Sequence, residues 1–304
     1  MKNPIKIFKA AGLFNLLFLF LIPVALFFIC IASHANTWQQ VPLRTQSQVD
    51  IGQAGGEGFQ MCFDMKYAPS DPTIIYKVID LSGVWKSVDG GTHWNPKWNG
   101  FKSIGGMSIG IHPTNPNLVL VAGSNHDLSG TPRVGSIAGI EKSTNGGDSW
   151  TMAITTAYNR KPKSLGVVKG ASYFAWNPTT LTTVYAATHD KGVLKSTDSG
   201  DTWAVMVSFA TTGQISDMCI HPTANPATLY VVCANQKVLE CIDGGANTVR
   251  GDGLPAVGTI SEIEIDPIVG KTMYVSAGVN GVYKSTAGSA TSFSAVNTGM
   301  SAAL

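Results

Sequence analysis

Charge is scarce in this chain. Asp, Glu, Lys and Arg make up only 13% of its 304 residues, and no basic run interrupts them. Nucleic acid is therefore not an expected partner, because its recognition rests on clustered Lys and Arg. Cysteine is sparse as well. Beyond residue 35 only Cys62, Cys219, Cys233 and Cys241 remain, without Cys-x-x-Cys spacing, so neither a zinc site nor any other metal or cofactor is expected. Cys219, Cys233 and Cys241 fall in one repeat, which leaves open either one disulfide or buried thiols. Arginine is limited to Arg44, Arg133, Arg160 and Arg250.

Long apolar runs are absent but for one. Leu13 to Ala32 follows Lys2, Lys6 and Lys9 and precedes Ser33-His34-Ala35, which places small residues where a signal peptidase needs them. Residues 1–35 read as a signal peptide, and the protein as secreted or periplasmic, with no membrane attachment after cleavage. An uncleaved anchor is the competing reading, since the run is long enough to span a bilayer; Pro23 and the small-residue exit favour cleavage. Taking its three lysines from the 21 basic residues leaves 18 against 19 acidic ones, a net of −1. The slightly basic whole chain therefore carries no message about anionic partners.

What the sequence has is repetition. Lys86-Ser-Val-Asp-Gly-Gly-Thr-His-Trp94 returns as Lys142-Ser-Thr-Asn-Gly-Gly-Asp-Ser-Trp150 and as Lys195-Ser-Thr-Asp-Ser-Gly-Asp-Thr-Trp203. Worn copies follow at Glu240–Gly245 and Lys284–Ser289. Ser, Asp and Gly in a row form a tight turn, in which Asp accepts backbone N–H bonds and Gly supplies positive φ. Ser87, Asp89, Gly91, Trp94, Ser143, Asn145, Gly147, Trp150, Ser196, Asp198, Gly200 and Trp203 are thus expected to be structural. Each turn is preceded by two apolar runs separated by a Pro: Pro69, Pro113, Pro178, Pro222 and Pro267, spaced by 44, 65, 44 and 45 residues. A four-stranded propeller blade needs about 40–50 residues.

The expected fold is all-β. It is a β-propeller over residues 36–304, with five recognisable four-stranded antiparallel blades at roughly 58–98, 104–155, 170–208, 214–252 and 259–297. Thr37–Val41 reads like an outer strand, yet the fifth unit supplies its own, Ser292–Val296. An incomplete, open-edged ring is expected. The repeated turns lie on one face; the other rim carries the irregular loops, where binding residues sit on a rigid scaffold.

The repeated phrase resembles the Asp-box, or bacterial neuraminidase repeat. The first unit goes further. Tyr67-Ala68-Pro69-Ser70-Asp71-Pro72 and Ile75-Tyr76-Lys77-Val78-Ile79-Asp80-Leu81-Ser82-Gly83-Val84-Trp85 resemble the opening of glycoside hydrolase family 74, the xyloglucan-cleaving enzymes. The resemblance covers roughly residues 36–300. It implies that Asp80 is a catalytic carboxylate and that the substrate is a β-glucan-type polysaccharide hydrolysed with inversion. Two positions depart from the family: Val78 stands where it has Arg, and Ser82 where it has Gly. The family also takes its second carboxylate from a second propeller, which this sequence lacks. Asp127, Asp190 and Glu141 are candidates here without a family match.

Around Asp80, Trp98 and Phe101 are suited to stacking on sugar rings. His126, Asp127, Tyr158, Arg160, His189 and Asp190 are suited to bonding hydroxyls. A sialidase is disfavoured, because none of the four arginines sits in the required Arg-Ile-Pro phrase. The alternative to an enzyme is a non-catalytic Asp-box propeller, binding carbohydrate or protein or acting as an assembly factor. A binding module can lack the second carboxylate; an enzyme cannot.

Overall fold

Each repeat folds into one antiparallel meander. A computed structural model of the chain describes residues 62–79, 83–103, 105–124, 138–155, 174–188, 191–213, 215–233, 236–256, 260–268, 270–286 and 290–299, all within one compact unit, residues 42–304. The first blade is β1 (Cys62–Ala68), β2 (Asp71–Ile79), β3 (Gly83–Ser87) and β4 (Asn95–Pro96). The second is β5 (Gly105–Ile111), β6 (Val119–Ser124), β7 (Gly139–Ser143) and β8 (Thr151–Thr155). The third is β9 (Phe174–Trp176), β10 (Val184–Thr188), β11 (Gly192–Ser196) and β12 (Ala204–Ser208). The fourth is β13 (Ile215–Ile220), β14 (Thr228–Cys233), β15 (Gln236–Ile242) and β16 (Asn247–Arg250). The fifth is β17 (Glu262–Ile265), β18 (Met273–Ser276), β19 (Val282–Ser285) and β20 (Ser294–Ala295). Among the described residues, helix is confined to two short turns, Phe209–Thr212 and Gly278–Asn280.

The apolar runs form strands buried on both faces, because successive side chains point into opposite junctions. In β10, Val184 and Ala186 pack toward the second blade with Leu118, Leu120 and Ile140. Tyr185 and Ala187 pack the other way, with Leu229, Val231 and Cys233 of the fourth blade. In β14 the same division sends Tyr230 and Val232 to the fifth blade, against Ile263 and Val275. Together with the cluster joining Tyr76 and Val78 to Ile109 and Val121, four apolar clusters seal the four junctions between consecutive blades. The four described cysteines are free thiols, with Cys233 and Cys241 buried in the core; the sulfurs act as small apolar groups there.

The five first strands touch in the order β1, β5, β9, β13, β17. They surround a central cavity of about 770 Å³. Among the described residues no apolar cluster joins the fifth blade to the first. Met65 and Tyr67, on the face of β1 turned away from the second blade, are 60% and 66% exposed. Exposed aromatic and thioether side chains at that position fit an array whose ends are not packed as its interior junctions are. Residues 37–41, expected as an outer strand, lie outside the described residues.

The repeated turns hold themselves in the same way three times. The Ser87 hydroxyl donates to Asp89 Oδ1 at 2.7 Å and accepts the Gly91 N–H at 2.9 Å, while Asp89 Oδ1 accepts the His93 N–H at 2.9 Å. Ser143, Asn145, Gly147 and Ser149 repeat this at 2.9, 2.8 and 2.9 Å. Ser196, Asp198, Gly200 and Thr202 repeat it at 2.7, 2.8 and 2.8 Å. Gly91, Gly147 and Gly200 sit at φ of +94°, +90° and +91°, where an L side chain is strained. Hydrogen bonds from the His93 and Thr202 segments hold the Asp89 and Asp198 carboxyls far below the ordinary carboxylate range.

Candidate functional site: the Trp98 link and the central cavity

Of the residues expected to hold a polysaccharide, Trp98 and Phe101 are described. Asp80, His126, Asp127, Tyr158, Arg160, His189 and Asp190 lie outside the described residues. Trp98 and Phe101 belong to the link from β4 to β5. This link is woven into the junction between the first two blades rather than standing free of it. Asn99 O accepts the Trp150 N–H at 3.0 Å, and Lys97 O accepts the Trp150 indole N–H at 2.9 Å. Phe101 lies edge-on to Trp150, 5.6 Å between ring centroids, and packs on the junction core.

Trp98 differs from Phe101. It is 39% exposed and lies edge-on to the buried Trp85 at 5.8 Å. Its indole covers Gly83: a Cβ built there would lie 3.0 Å from Trp98 Cδ1. Gly83 opens β3, three residues after Asp80 in the sequence. The structure thus sets one exposed indole against Gly83. Lys77 lies over the neighbouring Trp94 ring at 4.0 Å, so the same blade face already holds a cation on an aromatic surface.

Glu141, a candidate second carboxylate, is fully buried at 0% exposure. Its two oxygens accept the backbone N–H groups of Lys102 at 2.8 Å and Ser103 at 2.9 Å. Burial raises its pKa against those bonds. The carboxylate is committed to fastening the link and has no access to a substrate.

The central cavity gathers a second set of polar side chains. Neither Trp98 nor Phe101 lines it; among the described residues Asp64, Lys66, Asp217, Glu262 and Glu264 do. Asp64 Oδ2 accepts the Ile109 N–H at 2.9 Å and the Ser108 hydroxyl at 3.2 Å, with Lys66 Nζ 3.3 Å away. Asp217 accepts the Ile263 N–H at 2.8 Å and the Met218 N–H at 2.7 Å. Burial pushes the Asp217 carboxyl up to about 6, with Glu264 and Glu262 adding to the rise and the two N–H bonds opposing it. Burial also raises Glu264, against the pull of Lys66. The signal was present in the sequence: Asp64, Ser108, Asp217 and Glu262 each stand five residues before the blade's Pro. Among the described residues no group of three His, Cys, Asp or Glu is placed to hold a metal ion, and no helix is long and apolar enough to cross a membrane.

Five four-stranded blades around a cavity define a β-propeller protein, and its likeness is to the family 74 glycoside hydrolases. The chain is 26% identical over 262 residues to the xyloglucanase Xgh74A of Acetivibrio thermocellus, a match covering 76% of this chain and 29% of that protein. This chain therefore spans less than a third of the curated relative it matches. Among solved structures, an ancestral GH74 enzyme superposes with a TM-score of 0.57 at 21% identity, over 76% of this chain and 31% of that one. YCF48 from Cyanidioschyzon merolae superposes with a TM-score of 0.51 at 16% identity, over 84% of this chain and 73% of that one. At those identities the structural matches speak for the fold alone. No family model matches the sequence.

Proposed function

We propose that this chain is the propeller of a secreted, glycoside hydrolase-like protein that grips a β-glucan-type polysaccharide, xyloglucan or a relative of it. The observation that carries the reading is the 262-residue match to a xyloglucanase. Trp98 supports it as an exposed indole against Gly83, three residues beyond Asp80 in the sequence. In this reading Asp80 is the general base. It takes a proton from water as the water oxygen attacks the anomeric carbon; the glycosidic C–O bond breaks and the leaving oxygen is protonated by a general acid. Inversion needs the two carboxyls about 6.5–9.5 Å apart. With Glu141 buried, the acid comes from another segment, a second propeller being the arrangement the family resemblance implies. His126, Asp127, Tyr158, Arg160, His189 and Asp190 would bond the sugar hydroxyls, and residues 1–35 would direct export as a signal peptide.

The buried Glu141 also favours a second reading, a propeller that binds carbohydrate or a protein without cleaving it. One experiment separates the two. The 304-residue chain and its Asp80→Asn variant are assayed for binding to, and reducing-end release from, xyloglucan. The proposal expects binding by both and slow hydrolysis, or none, by the unaltered chain. Turnover by Asp80→Asn equal to that of the unaltered chain would reject Asp80 as base. Absence of binding to xyloglucan and other β-glucans would leave the protein-binding reading.

A further inference from the structure

The cavity wall holds two versions of one latch, and they differ in charge. In each, an Asp on the first strand of one blade accepts a backbone N–H from the middle of the next blade's first strand: Asp64 from Ile109 at 2.9 Å, and Asp217 from Ile263 at 2.8 Å. The two Asp residues occupy the same place in their repeats, and so do Ile109 and Ile263, each four residues before its Pro. The surroundings are not the same. Two residues after Asp64 stands Lys66, whose ammonium is 3.3 Å from the Asp64 carboxylate. Two residues after Asp217 stands Cys219, an uncharged thiol whose pKa burial raises further. Opposite Asp64, β5 presents Ser108 and Gly110; at the same positions opposite Asp217, β17 presents Glu262 and Glu264.

We propose that the seam between the fourth and fifth blades is an acid-stabilised junction that loosens toward neutral pH, whereas the seam between the first and second blades is locked by its built-in cation. Among the described residues several titratable groups face or adjoin the cavity around Asp217, Asp64 among them. On its own strand there is Cys219. From β14 there is Tyr230, buried and paired with Cys219 across the two strands. From β17 there are Glu262 and Glu264. From across the cavity Lys66 reaches Glu264, while being held by Asp64 and by the Ile109 carbonyl at 2.9 Å. β9 and β10, which also pack on β13, contribute no charged residue. Ionising Asp217 therefore adds a fourth negative charge, beside Asp64, Glu262 and Glu264, to a cavity wall whose one described cation, Lys66, is already engaged.

The sign follows from linkage. The folded carboxyl titrates at about 6, above its ordinary value near 3.8. Its contribution to stability is complete below the ordinary value and is lost as pH rises through the folded one. Junction opening should thus increase about tenfold between roughly pH 5 and pH 7 if the opened state has an ordinary carboxyl.

The test is hydrogen exchange on the whole chain from acid to neutral pH, corrected for intrinsic chemistry, with β5–β8 as internal reference for β17–β20. Protection of the fifth blade relative to the second should fall about tenfold between roughly pH 5 and pH 7. Asp217→Asn should flatten that ratio, and Glu264→Gln should shrink its change. Cys219→Lys, which imports the first seam's cation, should flatten it too. A ratio that does not vary with pH in the unaltered protein overturns the proposal. So does an unaltered pH dependence in Asp217→Asn. If Asp217→Asn does not fold, Glu264→Gln decides: an undiminished change in the ratio overturns the proposal.

Discussion

Lys142 of the second blade meets Asp201 of the third at 2.7 Å. Lys142 opens one repeated turn and Asp201 belongs to the next, so the pair links neighbouring blades. The third and fourth blades are joined in the same way, Lys195 to Asp243 at 2.7 Å, with the Tyr185 hydroxyl donating to the same carboxylate at 2.7 Å. The Lys that starts the second and the third phrase thus ties its blade to the next one. The Lys142 side chain is 7% exposed and that of Asp201 66%, which makes the two partners unequal. Asp201→Ala should strand a buried ammonium and destabilise by about 1–2 kcal/mol, discounted for the exposed partner. Lys142→Met removes the charge along with its need and should cost less. Urea unfolding of both variants checks the order, and a larger loss in Lys142→Met would contradict it.

Ser199 is the one non-glycine with positive φ among the described residues, at +60°. The matching positions in the first two turns are Gly90 and Gly146, at +69° and +72°. A left-handed L residue costs roughly 1–2 kcal/mol, partly offset by the greater unfolded-state entropy of Gly. Ser199→Gly should therefore stabilise the protein by about 0.5–1 kcal/mol. Gly200→Ala should do the reverse, because its Cβ would lie 2.7 Å from Leu120 Cδ2 at a φ of +91°. Thermal unfolding of the two variants should move in opposite directions.

Glu141 anchors the link that carries Trp98 and Phe101. Each of its oxygens accepts one backbone N–H, so Glu141→Ala leaves one buried and one part-buried donor unpaired and should cost about 1–3 kcal/mol. Glu141→Gln keeps one acceptor and turns an amide donor toward the other N–H, and should cost less. Chemical denaturation ranks the two, and exchange at Lys102 and Ser103 should rise in both.

The first three blades were legible in the sequence because each carries its own turn chemistry: the Ser, the Asp or Asn two residues on, and the second Gly position bond within the phrase, as Ser87, Asp89 and Gly91 do. What was not legible is what passes between repeats. The Asp217 to Ile263 bond joins a side chain to a backbone N–H in the next blade, and a backbone donor has no identity in a sequence. The same holds for Glu141, whose partners are the N–H groups of Lys102 and Ser103. In sequence it reads as one more polar residue on a strand, and only its 0% exposure separates it from a rim carboxylate. Trp98 and Phe101 show the remaining limit. Both are aromatics on one link, and only packing divides them, with Phe101 against Trp150 and Trp98 at the surface.

That division gives a test of the carbohydrate reading that does not depend on catalysis. Trp98 is 39% exposed and meets the blade edge-on at Trp85 and over Gly83. Removing an exposed ring should leave the fold intact, whereas a ring stacked on a sugar contributes roughly 0.5–1.5 kcal/mol to holding it. Trp98→Ala should weaken xyloglucan binding by about three- to tenfold while shifting thermal unfolding little. Phe101→Ala should do the opposite, lowering stability by about 2–4 kcal/mol through the cavity left against Trp150. Affinity electrophoresis in polysaccharide gels, read beside melting curves, separates the two. Binding unchanged in Trp98→Ala would remove that indole from the sugar-contact surface, and equal loss of stability in both variants would make Trp98 a packing residue like its neighbour.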